Sequence, residues 1–116
     1  MVNVSAQSSN LGVREVPASE IMAMRGRGDD VTFVDVREQH EWNLFRITGA
    51  VHIPLGVLRE EAPRRLRQDR IIILYCARGG RAATGAVTLA ELGFVKVLSV
   101  EGGLMGWVNA GGPLEE

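Results

Sequence analysis

The sequence has few of the residues that form covalent or metal cross-links. Cys76 is the only cysteine, and His40 and His52 are the only histidines. One cysteine excludes an intramolecular disulfide and a zinc site with several thiolate ligands. Two histidines are too few for most metal sites, so the sequence predicts no bound metal ion.

Long apolar segments and an excess of either charge are also absent. No apolar run approaches the roughly 18 residues of a membrane span, and the polar first residues lack the apolar centre of a signal peptide. The 13 basic and 14 acidic side chains give a formal net charge of −1, which provides no general attraction for nucleic acid. We therefore expect a cytoplasmic protein that binds neither membranes nor nucleic acids.

The remaining composition is that of one globular domain. The chain has 116 residues, of which 46% are hydrophobic and 23% charged, and this is within the usual range for a single domain. Residues 1–12 are expected to form a flexible N-terminal tail, and residues 13–116 the domain. Strand-like and helix-like patterns alternate along the domain, which predicts a parallel sheet with helices on both faces.

The apolar patterns place the individual elements. Strands are predicted from β-branched or apolar runs at 13–16, 31–36, 49–54, 71–75 and 95–100. Helices are predicted at 17–25, 40–44, 55–67 and 82–92, with Pro63 dividing the third into two pieces. The run at 71–75 is apolar throughout, so it fits a central strand that is buried on both faces. The arginines between residues 59 and 70 are expected to form a solvated, salt-bridged face.

The segment after the central strand, Cys-Ala-Arg-Gly-Gly-Arg, carries the expected chemistry. In parallel sheets, ligands bind where strands end and helices begin. Gly79 and Gly80 permit a tight turn that points backbone N–H groups inward, and the next helix directs its positive end to the same place. With Arg78 and Arg81 added, these groups favour a thiolate at Cys76. A lone cysteine is more often a packing residue, but this setting predicts a nucleophile.

Four segments of the chain together resemble the single-domain rhodaneses, a family of sulfurtransferases. The segments are residues 35–38 (DVRE), 49–54 (GAVHIP), 76–82 (CARGGRA) and 101–107 (EGGLMGW). They occur in the family's order and at its spacing, and the resemblance covers most of the chain up to residue 107. It implies a five-stranded parallel sheet flanked by helices on both faces. It also implies that Cys76 accepts a sulfane sulfur as a persulfide and passes it on.

The resemblance also implies roles for the residues around Cys76. The Cys76 thiolate would attack the outer sulfur of a small anionic donor such as thiosulfate, and cyanide or a thiol would then accept that sulfur. No cofactor is implied, because the protein itself carries the reactive sulfur. Asp35 and Arg37 are expected to support the loop, with Arg37 paired to Glu38 or another carboxylate. The expected substrate-binding residues are Ala77, Arg78, Gly79, Gly80 and Arg81.

Two alternatives to a small-molecule sulfurtransferase remain open on the sequence. One is a persulfide carrier or sensing module that delivers sulfur to a protein partner. The other is a phosphatase, which the length of the loop disfavours. Four residues separate Cys76 from Arg81, whereas the related cysteine phosphatases and arsenate reductases have five. The shorter loop resembles the sulfur-transfer type.

Five further side chains have expected positions. His52 is expected to be a hydrogen-bonded packing residue, His40 to be exposed, and Met105 to lie in the core. Trp107 is expected either to line the mouth of the pocket or to close the core. Arg46 stands where many family members have a histidine, and we expect it to lie in solvent and not at the pocket.

Overall fold

The computed structural model describes residues 13–116, so the flexible tail predicted for residues 1–12 lies outside the described residues. The strands are β1 (Val13–Val16), β2 (Val31–Asp35), β3 (Arg46–Ile47), β4 (Val51–His52), β5 (Ile71–Tyr75), β6 (Val97–Val100) and β7 (Leu114–Glu115). Five of them form a parallel sheet in the order β1-β6-β5-β2-β4, and β3 pairs with β7 in a separate antiparallel ribbon. The predicted five-stranded parallel sheet is confirmed.

Strand β5 lies in the middle of the sheet because its side chains are apolar throughout. It pairs in parallel with β2 on one side and with β6 on the other. The four residues from Ile72 to Tyr75 have no exposed surface. Burying a large apolar side chain contributes about 1.5–3 kcal/mol, so this run strongly favours the central position. Cys76 follows it directly and therefore lies at the carboxyl edge of the sheet.

Helices cover both faces of the sheet, as the sequence predicts. They are α1 (Ala18–Gly26), α2 (Gln39–Leu44), α3 (Leu58–Arg65), α4 (Gly80–Glu91) and α5 (Gly103–Asn109), and a 3-10 turn (Leu55–Val57) precedes α3. Buried side chains of α3 and α4 share one apolar cluster, and those of α1 and α5 share a second cluster that contains other sheet residues. Within residues 13–116, no helix is long and apolar enough to cross a membrane.

One detail of the predicted third helix is wrong. The sequence predicts a break at Pro63, but Pro63 lies inside α3, whose Leu58 and Ala62 are fully buried. The chain divides instead where the 3-10 turn Leu55–Val57 ends. Pro63 is tolerated because it removes a single backbone N–H from a short helix that ends two residues later, at Arg65.

The arginine-rich segment forms the solvated face that the sequence predicts. The Arg59 guanidinium pairs with Glu91, and the Arg64 guanidinium with Glu61, each at 2.6 Å. Both arginine side chains are at least 60% exposed. Ion pairs of this kind contribute little to stability, so this face needs no functional explanation.

Candidate active site

The loop after β5 wraps around the sulfur atom of Cys76. The backbone N–H of Gly79 donates to Cys76 Sγ at 3.0 Å, and that of Ala82 donates at 3.4 Å. Gly79 has a φ of +125°, a conformation that side chains with a Cβ rarely adopt. The inward-pointing N–H groups that the sequence predicts are therefore present, and they surround a cysteine that is only 2% exposed.

Helix α4 begins at this loop and adds its own field. Gly79 is the residue before its first turn, and Ala82 belongs to that turn. The free N–H groups of a helix amino terminus carry a partial positive charge. Because one of them points at Cys76 Sγ, the helix favours a negative charge on the sulfur or on an anion bound beside it.

The two arginines of the loop have different surroundings. Arg78 is exposed and makes no ion pair with any residue from 13 to 116. Arg81 is half-buried and donates from Nη1 to Glu41 Oε1 at 2.7 Å and from Nη2 to Glu41 Oε2 at 3.0 Å. Arg78 is therefore available to an incoming anion, whereas much of the charge on Arg81 is already balanced.

The pKa values of the ion pair report its strength. The hydrogen bond from Arg81 is the main reason why the pKa of Glu41 is lowered from 4.5 to about 2. The pKa of Arg81 is raised above its ordinary value, first by the hydrogen bond with Glu41 and to a smaller extent by Cys76. Arg81 is thus a charged side chain whose main partner is the Glu41 carboxylate.

Glu41 is the site residue that the sequence argument missed. Its Oε1 also accepts the backbone N–H of Glu38 at 2.8 Å, and the Glu38 side chain accepts the N–H of Glu41. This reciprocal pair is a capping box, which fixes the start of α2. The Glu38-x-x-Glu41 spacing could have indicated the capping box. It contains no signal for the pairing with Arg81, which is 40 residues further along the chain.

Asp35 and Arg37 form a buried ion pair next to the site. Asp35 accepts hydrogen bonds from Nε, Nη2 and the backbone N–H of Arg37, at 2.7–3.0 Å. Arg37 also donates to the carbonyl of Phe45 at 2.6 Å. The carboxylate that pairs with Arg37 is therefore Asp35 and not Glu38. Since Asp35 lies opposite Tyr75 in the sheet, the pair braces β5, the strand that Cys76 follows.

The Tyr75 side chain, which precedes Cys76, is fully buried. Burial raises its pKa above the ordinary value, and the nearby Asp35 carboxylate raises it further. Its hydroxyl oxygen accepts the backbone N–H of Ile47 at 3.1 Å. The hydrogen bonds of the Asp35 and Arg37 side chains go to one another and to Phe45, and none of them reaches residues 77–81. The pair therefore supports the strands before the loop and not the loop itself.

Helix α5 holds the other side of the loop. The N–H of Leu104 donates to the carbonyl of Cys76 at 2.7 Å, and that of Met105 donates to the carbonyl of Ala77 at 3.3 Å. A Cβ on Gly103 would lie 2.6 Å from the Cys76 carbonyl oxygen, and Gly103 has a φ of +61°. Only glycine fits between α5 and the loop at this position.

The same helix carries two side chains, Trp107 and Met105, whose positions were expected from the sequence. Trp107 is fully buried, packs edge-on against Phe33 with ring centroids 5.2 Å apart, and donates from Nε1 to Pro113 at 3.0 Å. It therefore closes the core and does not line the pocket mouth. Met105 was expected in the core but is 50% exposed. It lies on the opposite side of α5 from the buried Leu104 and Trp107.

A stack of side chains lies beside α2. The rings of His52 and Trp42 are stacked, with centroids 4.8 Å apart, and His52 Nε2 lies 2.8 Å from the Arg37 carbonyl oxygen. The expected packing role of His52 is confirmed, and His40 is exposed as expected. The expectation for Arg46 is wrong. Its guanidinium lies 4.6 Å from the Trp42 ring centroid, and its side chain is only 18% exposed.

This fold and this loop define a family. The model of the rhodanese-like domain matches residues 17–110, which include four of the five strands of the parallel sheet (β2, β4, β5 and β6) and every residue of the Cys76 loop. The chain belongs to the rhodanese-like domain family.

Two curated relatives have sulfur chemistry in their names. The probable adenylyltransferase/sulfurtransferase MoeZ of Mycobacterium tuberculosis is 32% identical over 83 residues, which are 71% of this chain and 21% of MoeZ. The putative sulfur carrier protein YrkF of Bacillus subtilis is 32% identical over 106 residues, 89% of this chain and 57% of YrkF. The chain therefore spans between about a fifth and three fifths of these relatives' length.

Solved structures share the fold closely. The rhodanese-like domain of the Anabaena Alr3790 protein has a TM-score of 0.81 at 29% identity, covering 87% of this chain and 77% of that one. A Rhodopseudomonas palustris protein has a TM-score of 0.79 at 25% identity, and the match covers 99% of this chain and 98% of that one. That protein is described as being of unknown function and as a possible tyrosine phosphatase.

Proposed function

We propose that this protein is a sulfurtransferase in which Cys76 carries a sulfane sulfur as a persulfide. The observation that carries the proposal is the position of Cys76 Sγ. It lies at the carboxyl end of the central strand and accepts N–H groups from Gly79 and Ala82. A sulfur in this setting is stabilised as an anion, and the names of two curated relatives include sulfur transfer or sulfur carriage.

The first half-reaction loads Cys76. With thiosulfate as donor, the Cys76 thiolate attacks the outer sulfur and a new S–S bond forms. The bond between the two thiosulfate sulfurs breaks, and its electron pair leaves with sulfite. Arg78, which is exposed and makes no ion pair within residues 13–116, would hold the donor's oxygens together with Arg81 and the loop amides of Ala77, Gly79 and Gly80.

The second half-reaction unloads Cys76. A cyanide ion or a thiolate attacks the terminal sulfur of the persulfide, and the electron pair of the broken S–S bond returns to Cys76. Between the two steps the loop amides stabilise the persulfide anion, in the way that they stabilise the thiolate. Such covalent two-step catalysis gives ping-pong kinetics. Neither step needs a general base when the attacking sulfur is already ionised.

Delivery to a protein partner is a second candidate function. YrkF is named as a putative sulfur carrier protein, and this chain covers 57% of it. Turnover with cyanide separates the two functions. An enzyme turns over rapidly with thiosulfate and cyanide, whereas a carrier keeps a stable persulfide until it meets a particular protein thiol.

The proposal is tested by the intact mass of the protein after incubation with thiosulfate or with a low-molecular-weight persulfide. The wild type should gain the mass of one sulfur atom, and a reductant should remove it. Cys76→Ala should gain nothing, because the chain then has no cysteine. A wild type that stays unmodified with both donors, with Cys76 still open to alkylation, would overturn the proposal. Hydrolysis of an aryl phosphate by that protein would then favour a phosphatase.

A further inference from the structure

The charges around the Cys76 loop are more balanced than its two arginines suggest. Both terminal nitrogens of Arg81 are paired with Glu41. A second carboxylate also lies near the loop, since Glu15 Oε2 would be 3.7 Å from a Cβ on Gly79. Arg78 is the cation of this loop that has no counter-charge within residues 13–116.

This balance bears on which sulfur donors the site accepts. Thiosulfate carries two negative charges and three sulfonate oxygens, so uncompensated cations strengthen its binding. A persulfide, R–S–SH, presents its sulfane sulfur without a sulfonate group. The Cys76 thiolate attacks that sulfur, the S–S bond of the donor breaks, and the thiolate RS⁻ leaves. The proton stays on the transferred sulfur, so atoms and charge balance.

We infer that Glu41 is a specificity-determining positioning residue that holds Arg81 against the Cys76 loop and cancels its charge, so that the site favours persulfide donors over thiosulfate. The inference rests on the proposed sulfurtransferase function. Glu41 acts through Arg81 and need not touch the substrate. Its backbone and side chain are themselves fixed by the capping box with Glu38, so the carboxylate is held in place before any donor arrives.

The test compares Glu41→Gln with Glu91→Gln. Glu91 lies at the far end of α4 from the loop and pairs with the exposed Arg59. Each variant thus removes one negative charge from an arginine–glutamate pair, but only one of the pairs is at the loop. The rate at which Cys76 gains sulfur is measured by intact mass over a range of thiosulfate concentrations. It is measured again with the persulfide of 2-mercaptoethanol, a donor that carries no carboxylate or sulfonate group.

In Glu41→Gln, the half-saturating thiosulfate concentration should fall about fivefold, because Arg81 regains roughly one uncompensated charge in a partly exposed site. The maximal loading rate with thiosulfate and the loading rate with 2-mercaptoethanol persulfide should change less than about twofold. In Glu91→Gln, the loading rates with both donors should change less than about twofold. Glu41→Asp keeps the charge and should keep the wild-type donor preference. An unchanged or raised half-saturating concentration in Glu41→Gln, an equal gain with both donors, or a Glu41→Asp that behaves like Glu41→Gln would overturn the inference.

The salt dependence of loading can be measured on the wild type alone, so this test does not depend on the folding of a variant. If the loop charges are balanced, the rate of loading by thiosulfate should fall less than about threefold between low and physiological salt. A steeper fall would show that Arg81 is uncompensated in addition to Arg78, and it would contradict the inference. A wild type that neither donor loads would refute the sulfurtransferase function itself, so the two failures are distinguishable.

Discussion

Arg81 and Glu41 form a two-point ion pair that joins α4 to α2 across 40 residues of sequence, with N–O distances of 2.7 and 3.0 Å. The pair connects the start of the helix that faces Cys76 with a helix from an earlier part of the chain. Its paired geometry gives it a defined direction as well as strength. The position and the charge of Arg81 are therefore set by a residue outside the Cys76 loop.

This ion pair should make stability depend on pH in one direction. The pKa of Glu41 is lowered from 4.5 to about 2 in the folded protein, first by the hydrogen bond with Arg81. A group whose pKa is lowered by folding stabilises the protein above its unfolded pKa and loses that contribution as the pH falls through the folded pKa. The free energy of unfolding of the wild type should therefore exceed that of Glu41→Gln at pH 7. The excess should shrink between about pH 4.5 and 2.

Urea unfolding of both proteins at several pH values measures this difference. Comparing wild type with variant at each pH removes the contributions of the other carboxylates. A difference that stays constant down to pH 2.5 would show that Glu41 and Arg81 are not paired in solution.

Replacing Gly103 with alanine should loosen the loop. The new Cβ would lie 2.6 Å from the Cys76 carbonyl oxygen, at a φ of +61°. The left-handed conformation and the overlap together should cost about 3 kcal/mol of unfolding free energy. Gly111→Ala is the matched control, because Gly111 has a φ of +83° and open space around it. It should lose only about 1–2 kcal/mol, from the conformation alone. Equal losses in the two variants would contradict the close contact between α5 and the loop.

Replacing Asp35 with asparagine should be much more damaging than removing an exposed carboxylate. The Arg37 and Asp35 side chains are 4% and 0% exposed, so the variant leaves a buried guanidinium without its counter-charge. Breaking a buried pair in this way costs about 3–5 kcal/mol. Glu91→Gln, which breaks an exposed pair, should cost less than about 1 kcal/mol. Denaturant unfolding of both variants checks this, and similar small losses would mean that the pair does not brace β2 and β5.

The sheet and the geometry of the Cys76 loop could be predicted because their signals are local. The run from Ile71 to Tyr75 is apolar at every position, which indicates a strand buried on both faces. Cys76 follows it at once, and the turn of the loop depends on Gly79 in the same short segment. The strand and the turn can be predicted from these few residues without knowing which other segments pack against them.

The features that could not be predicted depend on contacts between distant segments. The pairing of Arg81 with Glu41 requires knowing that α2 lies beside the loop. Arg46 was expected in solvent because nothing in its own segment shows that it packs over Trp42. Met105 is apolar and adjacent to a buried residue, but the direction of α5 turns it outward. The surroundings of each of these three side chains are determined by how distant elements pack together.

The central claim is that the transferred sulfur resides on Cys76, and a single-turnover chase with labelled donor tests it most directly. Thiosulfate labelled in its outer sulfur is mixed with the protein, the excess is removed, and cyanide is then added. The label should first be found on the peptide that contains Cys76 and should then move completely to thiocyanate. Label that reaches thiocyanate at the same rate with Cys76→Ala, or that never resides on the wild-type protein, would contradict the account.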